Sequence, residues 1–303
     1  MDHDVVIRTL MECDKNSTLG WQGGEPTLAG LDFYKRVMEY CPDHINHTMM
    51  TNGTLIDEDW AKFLKDNDFL VGISIDGTET IHNTYRDQWK QTIRGLQLLL
   101  DHGVPVNAVV TVNQANWNHG VRVYRLLVKL GITYLQFIPI CINNNLQYPG
   151  GINGHKWGSF LVDVFREWLK TGMDKVRVHI FDECVRGVIG EAANTCVHSS
   201  SCGGFVVEAN GDVYACEHFV DDTDINTKLG NILSTSFQKM ANITKFLSFQ
   251  TYKITDECAG CEYYRLCYGG CIKHRYNRFS RNVLCEGYQK FFKEFISEIV
   301  PLR

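Results

Sequence analysis

A dense group of cysteines near the carboxyl end constrains this chain more than any other feature. Eight of the twelve cysteines lie between Cys196 and Cys285, and the densest part is Cys258-Ala-Gly-Cys261-Glu-Tyr-Tyr-Arg-Leu-Cys267-Tyr-Gly-Gly-Cys271. The two residues between Cys258 and Cys261 allow one tight turn to present both thiolates to one metal centre. The glycine pair before Cys271 allows the backbone to fold close to that centre.

The number of cysteines indicates two centres. A tetrahedral site takes four ligands, but residues 258–285 contain five cysteines, so at least one of them serves another centre. Upstream, Cys196, Cys202 and Cys216 form a group of three that lacks a fourth. The eight thiols therefore divide into two sets of four, which suit zinc, iron–sulfur clusters or, in a secreted protein, a disulfide framework.

Composition favours metal over disulfides. The chain has 303 residues, of which 44% are hydrophobic, enough for a sizeable core in one large or two medium domains. It shows no secretory signal and no run of about 18 apolar residues, so we predict a cytoplasmic protein without a membrane partner. Reducing thiol pools in that compartment disfavour structural disulfides. The net charge of -5 and the lack of a long Lys/Arg run predict no nucleic-acid partner.

Strands and helices are predicted to alternate before the cysteine-rich part. Residues 69–75, Phe-Leu-Val-Gly-Ile-Ser-Ile, are almost continuously apolar, which suits a parallel strand covered on both faces. The other strands are predicted at 19–21, 47–50, 106–112, 134–140 and 176–180, and the helices at 5–11, 31–40, 58–65, 92–102, 121–129, 156–169 and 286–299. Asp57 is the predicted cap of the helix at 58–65. This alternation predicts an α/β fold with a parallel barrel or an open sheet.

A β-hairpin is predicted at 205–216. Asn210-Gly211 stands between two apolar runs, and this dipeptide supports a tight turn with positive φ angles. The hairpin would deliver Cys216, Glu217 and His218 together at its end. No linker rich in Pro or Ser precedes it, so we expect the two parts of the chain to pack together.

The loops after successive strands carry candidate ligand-binding residues. In parallel sheets the working residues lie where strands end. A glycine pair allows a ligand to approach the backbone, a carboxylate can bind a cation such as an amino group, and amide and hydroxyl groups offer hydrogen bonds. The candidates are Gln22, Gly23, Gly24, Glu25, Asn52, Ser74 and Asp76. Ordinary turn chemistry explains each of them singly, but their recurrence at strand ends favours a ligand site. No dinucleotide fingerprint and no P-loop is present.

Together these motifs resemble the radical S-adenosylmethionine (SAM) superfamily. Gly-Gly-Glu-Pro follows one strand, Thr-Asn-Gly-Thr the next and Ser-Ile-Asp-Gly the third, and the carboxyl-terminal cysteines resemble the SPASM extension. Further motifs are similar to the anaerobic sulfatase-maturating enzymes: Gln22-Gly-Gly-Glu-Pro-Thr-Leu-Ala-Gly30, Leu135-Gln-Phe137, Asn210-Gly-Asp-Val-Tyr-Ala-Cys216 and Leu229-Gly-Asn-Ile232. The resemblance covers nearly the whole chain and implies a SAM-binding partial (β/α) barrel at 1–182 and a SPASM domain at 183–303.

The resemblance also implies the cofactors. Two auxiliary [4Fe–4S] clusters would be held, the first by Cys196, Cys202, Cys216 and Cys271, and the second by Cys258, Cys261, Cys267 and Cys285. SAM would meet Gly23, Gly24 and Glu25 through its amino group and Ser74 near its ribose, with Gln22, Asn52 and Asp76 completing the site.

The reaction implied is oxidation of a peptide side chain. A radical made from SAM would remove a β-hydrogen from a Cys or Ser in an unfolded sulfatase segment. A base would take the thiol or hydroxyl proton, an auxiliary cluster would accept the second electron, and the product would be Cα-formylglycine. The partners implied are that peptide and an electron donor such as a flavodoxin or a ferredoxin.

Two departures from the family accompany the resemblance. The SAM-cleaving cluster is bound in the family by Cys-x-x-x-Cys-x-x-Cys after the first barrel strand, and these residues contain no such triplet. We therefore expect a barrel without its first strand, inactive as written, and interpret the sequence as a shortened reading frame, with a non-cleaving paralogue as the alternative. Glu217 stands where the family carries an aspartate proposed as general base. We favour Glu217 over His218 because of its carboxylate.

Other functional classes remain open from the sequence. A non-catalytic iron–sulfur or zinc module would use the same barrel and cysteine sets to bind peptides without turning over SAM. A SPASM maturase acting on another peptide would share every motif named above. Metal and sulfide content separates zinc from iron–sulfur clusters, and SAM cleavage separates an enzyme from a binding module.

Overall fold

The computed structural model describes residues 1–15, 17–141, 150–202, 204–220, 226–250, 255–277 and 279–299. Its main sheet has six parallel strands in chain order, β1 Thr18–Trp21, β2 Asn46–Thr51, β3 Leu70–Ser74, β4 Val106–Val112, β5 Tyr134–Pro139 and β6 Arg177–Val178. Because every crossover moves to the next strand in the same direction, the sheet curls as part of a (β/α) barrel and not as a doubly wound sheet. The predicted parallel α/β fold is confirmed.

The helices connect these strands and cover the sheet. They are α1 His3–Glu12, α2 Leu31–Met38, α3 Glu58–Asp66, α4 Glu79–His82, α5 Trp89–Asp101, α6 Gly120–Lys129, α7 Gly154–Thr171 and α8 His179–Ile189. The predicted cap of α3 is confirmed, since the Asp57 carboxylate accepts the Trp60 amide at 2.9 Å. The strand predicted at 176–180 ends two residues early, because His179 begins α8. The predicted domain boundary at 182/183 falls inside α8, and that division stays a prediction.

The cysteine-rich part adds a small antiparallel sheet of β7 Val206–Val207, β8 Asp212–Tyr214 and β9 Lys228–Asn231. The hairpin between β7 and β8 was predicted, whereas β9 was not. Gly211 has a positive φ of 86°, but Asn210 does not share it. Instead the Asn210 side chain accepts the amide of Asp212 at 2.9 Å, as in an Asx turn.

The described residues contain five further α-helices: α9 Phe237–Ala241, α10 Thr244–Gln250, α11 Asp256–Ala259, α12 Tyr264–Cys267 and α13 Cys285–Ile299. The two parts of the chain pack together as predicted, and α13 docks on the barrel. It packs against α7 and α8 through aromatic rings, with Phe291 and Phe295 both in contact with Phe165 and Phe181. Within the part of the chain that is described, no helix combines the length and apolar character needed to cross a bilayer.

Glycines let α7 and α13 approach at backbone distance. A Cβ atom at Gly158 would lie 2.7 Å from the Cα atom of Gly287, and one at Gly287 would collide with the carbonyl oxygen of Gly154. Backbone atoms cannot swing away as a flexible side chain can. The close packing of these helices therefore requires glycine at Gly158 and Gly287.

We predict that Gly158→Ala lowers the free energy of unfolding by about 1–3 kcal/mol, because overpacking outweighs the gain in helix propensity of about 1 kcal/mol. Thermal and urea unfolding measure this change in the free energy of unfolding. Gly204→Ala is the matched control, since nothing lies within 4 Å of a Cβ atom there, and its unfolding free energy should stay equal or rise slightly. Equal stabilities for the two variants would contradict the packing argument.

Candidate active site

The carboxyl ends of β1, β2 and β3 lie along one edge of the parallel sheet. After β1 the chain turns through Gly23 and Gly24, which have φ angles of 96° and 51°. Nothing lies within 4 Å of a Cβ atom at either position. The backbone is thus open on the side where a side chain would stand, and positive φ angles favour glycine there. This cradle suits a ligand that contacts main-chain groups, and exposed Gln22 borders it.

Glu25 joins the loop after β1 to the loop after β2. Its Oε1 accepts hydrogen bonds from the amide of Thr27 at 3.1 Å and from the hydroxyls of Thr27 and Thr51, both at 2.7 Å. Its Oε2 accepts the amide of Asn52 at 2.7 Å. Four bonds to one carboxylate hold the two loops together. The sequence predicted that this carboxylate faces a cation. It did not predict that the carboxylate connects the two loops through hydrogen bonds.

Asn52 shapes the second loop. Its side-chain oxygen accepts the amide and the hydroxyl of Thr54 at 2.9 and 2.8 Å, and its carbonyl accepts the Thr92 hydroxyl at 2.9 Å. These are the bonds of a turn residue. Asn52 lies beside Glu25, at the edge of the sheet where the sequence predicted the ligand site.

Asp76 is buried, with 2% exposure, and joins the ends of β3 and β4. Its carboxylate pairs with the Arg86 guanidinium at 2.8 Å and accepts the Thr111 amide at 2.8 Å. Arg86 also donates to the Thr111 hydroxyl, at 2.6 Å. Sequence reasoning missed Arg86 and Thr111, because only folding brings them to Asp76. Ser74, the last residue of β3, is half-buried beside this network.

Four of the predicted metal ligands line one pocket. They are Cys258, Cys261, Cys267 and Cys285, contributed by α11, the turn after it, α12 and the start of α13. Tyr268, Gly269 and Gly270 follow with φ angles of 46°, 83° and 67°. This left-handed run turns the backbone around the pocket, and a Cβ atom at Gly270 would lie 2.5 Å from the Asn282 side chain. The glycine pair was predicted to serve this purpose.

The other four predicted ligands belong to a second region. Cys202 is buried in an apolar cluster with Phe219 and Ile272, and Cys216 packs against that cluster. Burial raises the pKa of the Cys216 thiol to about 12, and the neighbouring Cys271 and Cys196 add to the shift. Cys271 and Cys196 therefore both lie within electrostatic range of Cys216.

Burial also raises the pKa of the Cys267 thiol to about 11, so binding of a metal must expel protons from these thiols. All twelve cysteines are thiols. Among the described residues, no three metal-ligating side chains converge closely enough to hold a single metal ion. Two further buried thiols lie near these predicted ligands, Cys184 near Cys267 and Cys141 near Cys271. Sequence reasoning assigned neither of them a role.

Glu217 and His218 follow Cys216 in a single 3₁₀ turn, and their side chains are 47% and 36% exposed. Glu217 Oε1 lies 3.9 Å from His218 Nε2, and Lys273 Nζ lies 3.5 Å from His218 Nδ1. Partial burial raises the pKa of the Glu217 carboxyl, and Lys273 opposes that shift. Burial and Lys273 lower the pKa of His218 to about 4. Lys273 had no signal in the sequence beyond its nearness to Cys271.

Family models match two regions of the chain. Residues 1–127 match the radical SAM superfamily, and residues 196–262 match SPASM, an iron-sulfur cluster-binding domain. A cysteine-type anaerobic sulfatase-maturating enzyme from Clostridium novyi (strain NT) is 33% identical over 97% of this chain and 84% of its own. A serine-type enzyme from Bacteroides thetaiotaomicron is 32% identical over 90% of this chain and 74% of its own.

Solved structures are similar as well. The structure described as native anSMEcpe with bound AdoMet and Kp18Cys peptide has a TM-score of 0.91 and 30% identity, and covers 100% of this chain and 90% of that one. Streptococcus suis SuiB bound to S-adenosylmethionine has a TM-score of 0.68 and 14% identity over 93% of this chain and 69% of its own, which shows a shared fold alone.

Proposed function

Since this chain belongs to the anaerobic sulfatase-maturating enzymes of the radical SAM superfamily, we propose that it oxidises a cysteinyl or seryl side chain of an unfolded sulfatase segment to Cα-formylglycine. The observation that carries this proposal is the likeness, over nearly the whole chain, to maturating enzymes of both types. The relatives do not favour one substrate residue over the other, so both belong to the proposal. Members of this family use iron–sulfur clusters and SAM, and the described residues suit both.

For the clusters, the fit lies in the chemistry of the donors. We assign Cys196, Cys202, Cys216 and Cys271 to one auxiliary [4Fe–4S] cluster and Cys258, Cys261, Cys267 and Cys285 to the other. Each donor set consists entirely of sulfur, which iron–sulfur clusters require. That the second set lines one pocket supports its half of the assignment.

For SAM, the fit lies in the open backbone of Gly23 and Gly24, which Gln22 borders. SAM supplies the hydrogen-abstracting chemistry when it is bound together with a reduced cluster. The glycines would receive its amino acid part at main-chain distance, with the charge of Glu25 attracting the amino group, and Ser74 would offer its hydroxyl to the ribose. Asn52 and Asp76 would fix the conformation of the loops at this edge of the sheet through the hydrogen bonds and the ion pair described above.

Glu217 is our candidate for the general base. Its carboxylate is half exposed and directly follows a proposed cluster ligand, so the base would stand next to the cluster that would accept the second electron. His218 is a poorer acceptor, because Lys273 donates to its Nδ1 and the neutral ring then carries its proton on Nε2. Glutamate is longer than the family's aspartate by roughly 1.5 Å, so the substrate must lie correspondingly farther from Cys216.

We also propose that these 303 residues alone do not start the reaction, because they contain no Cys-x-x-x-Cys-x-x-Cys triplet. An electron donor such as a flavodoxin or a ferredoxin would reduce the SAM-cleaving cluster. A reducing cytoplasm suits both the thiolate ligands and such a donor, and this location is part of the proposal.

The test is anaerobic turnover of sulfatase peptides. The chain is prepared as given and with a cluster-binding segment fused ahead of Met1, and each form is incubated with SAM, a reductant and a peptide carrying Cys or Ser. We expect formylglycine by mass spectrometry, together with 5′-deoxyadenosine, from the fused form only. SAM cleavage without peptide oxidation would indicate a maturase for another peptide. Metal binding without SAM cleavage in the fused form would leave a binding module and refute the proposal.

The cysteine assignment predicts separate effects for two neighbouring buried thiols. Cys267→Ala should lower the iron and sulfide content by about four atoms each, because it removes a ligand of one [4Fe–4S] cluster. Cys184→Ala is the matched control, since Cys184 is buried near Cys267 but belongs to neither set, and its iron content should stay at the wild-type value. Metal analysis after anaerobic reconstitution measures both. Loss of iron from Cys184→Ala alone, or zinc in place of iron, would refute the assignment.

The base assignment predicts that Glu217→Gln slows peptide oxidation about 10²–10⁴-fold in the fused form, because an amide cannot take the substrate proton. Glu217→Asp keeps the carboxylate and should lose less. Cleavage of SAM to 5′-deoxyadenosine should continue in both variants. His218→Gln, which changes the adjacent side chain, should stay within about tenfold of wild type; a larger loss there than in Glu217→Gln would transfer the role to His218.

A further inference from the structure

Arg275 is a buried cation between the two cysteine sets. It follows Cys271 after the short turn Ile272–His274 and is 4% exposed. Its Nη2 donates to the carbonyl of Gly269 at 3.2 Å, and Gly269 lines the pocket of Cys258, Cys261, Cys267 and Cys285. The guanidinium is thereby held against the wall of that pocket.

Arg275 is also connected to the first set, through Cys271. Arg275 pairs with Asn282 in an antiparallel bridge, and the Asn282 side chain donates to the carbonyl of Cys271 at 3.5 Å. Burial lowers the pKa of Arg275, and the thiols Cys258, Cys271, Cys202 and Cys267 oppose that shift. These four thiols come equally from the two sets. A single guanidinium therefore lies within electrostatic range of both.

We propose that Arg275 is a positioning residue whose fixed positive charge raises the reduction potentials of both auxiliary clusters. The inference rests on the cysteine sets assigned under the proposed function. Reduction adds a negative charge to a thiolate-bound cluster, and a nearby cation in a poorly solvated site stabilises that charge more than it would in water. Arg275 would thus make both clusters better electron acceptors, which suits a site that takes an electron from a substrate.

The test is potentiometric titration of the auxiliary clusters, followed by electron paramagnetic resonance, in wild type and in Arg275→Gln, Arg275→Met and Arg275→Lys. The two neutral variants should lower both midpoint potentials, with at least a tenfold fall in the equilibrium constant for one-electron reduction, or roughly 59 mV. Arg275→Lys keeps the charge and should remain near wild type. Arg166→Gln is the control, because it removes the same charge from an exposed ion pair with Glu294.

Iron and sulfide analysis of each variant separates the possible failures. Full cluster content with unchanged potentials in the neutral variants would overturn the role of Arg275 and leave the proposed function intact. Loss of iron from all three variants, Arg275→Lys included, would reduce Arg275 to a packing role and overturn the inference. Absence of clusters from reconstituted wild type would refute the cysteine assignment and the inference together. An equal shift in Arg166→Gln would assign the effect to net charge and also overturn it.

Discussion

The packing of α13 on α7 is the constraint on which the cysteine region depends. Gly158 and Gly287 bring the two backbones together, and Cys285 is the first residue of α13. Tyr288 and Phe292 of the same helix line the cysteine pocket and also belong to the barrel core. The pocket therefore keeps its shape only while the helix stays docked. A substitution in the core of the barrel would therefore shift the positions of the thiols of the second set.

Carboxylates at the strand ends serve a similar purpose in the parallel sheet. Glu25 ties the loop after β1 to the loop after β2, and Asp76 ties the end of β3 to β4 through Arg86 and Thr111. A backbone cradle binds well only if its loops do not have to be ordered when the ligand arrives. The Glu25 network holds the loop of Gly23 and Gly24 in place before any ligand binds. The Asp76 network does the same for the ends of β3 and β4, so the contribution of both to binding is pre-organisation.

Sequence motifs and local patterns predicted most of the fold and the family, whereas the assignment of the site residues stays a prediction. The apolar run of β3 and the cap at Asp57 were correct because they depend on neighbours within a few residues. The end of β6 and strand β9 were missed, since a two-residue strand has little pattern and β9 is defined by its pairing with β8. Arg86 and Arg275 were missed for a related reason: each acquires its importance from partners that only folding supplies.

The cysteine region also shows why its metal centres and its folding must be linked. Helices α11 and α12 have four residues each, far too short to be stable alone. Their thiols are held in a partly buried pocket, where burial raises the pKa of Cys267 and Cys285 and favours the protonated form. A centre held by the proposed ligands would replace these protons and join both short helices to α13, so that its binding free energy would help to order the segment. Arg275 adds to this linkage, because a buried cation is costly without nearby negative charge, and thiolates on both sides would supply that charge when the centres are bound.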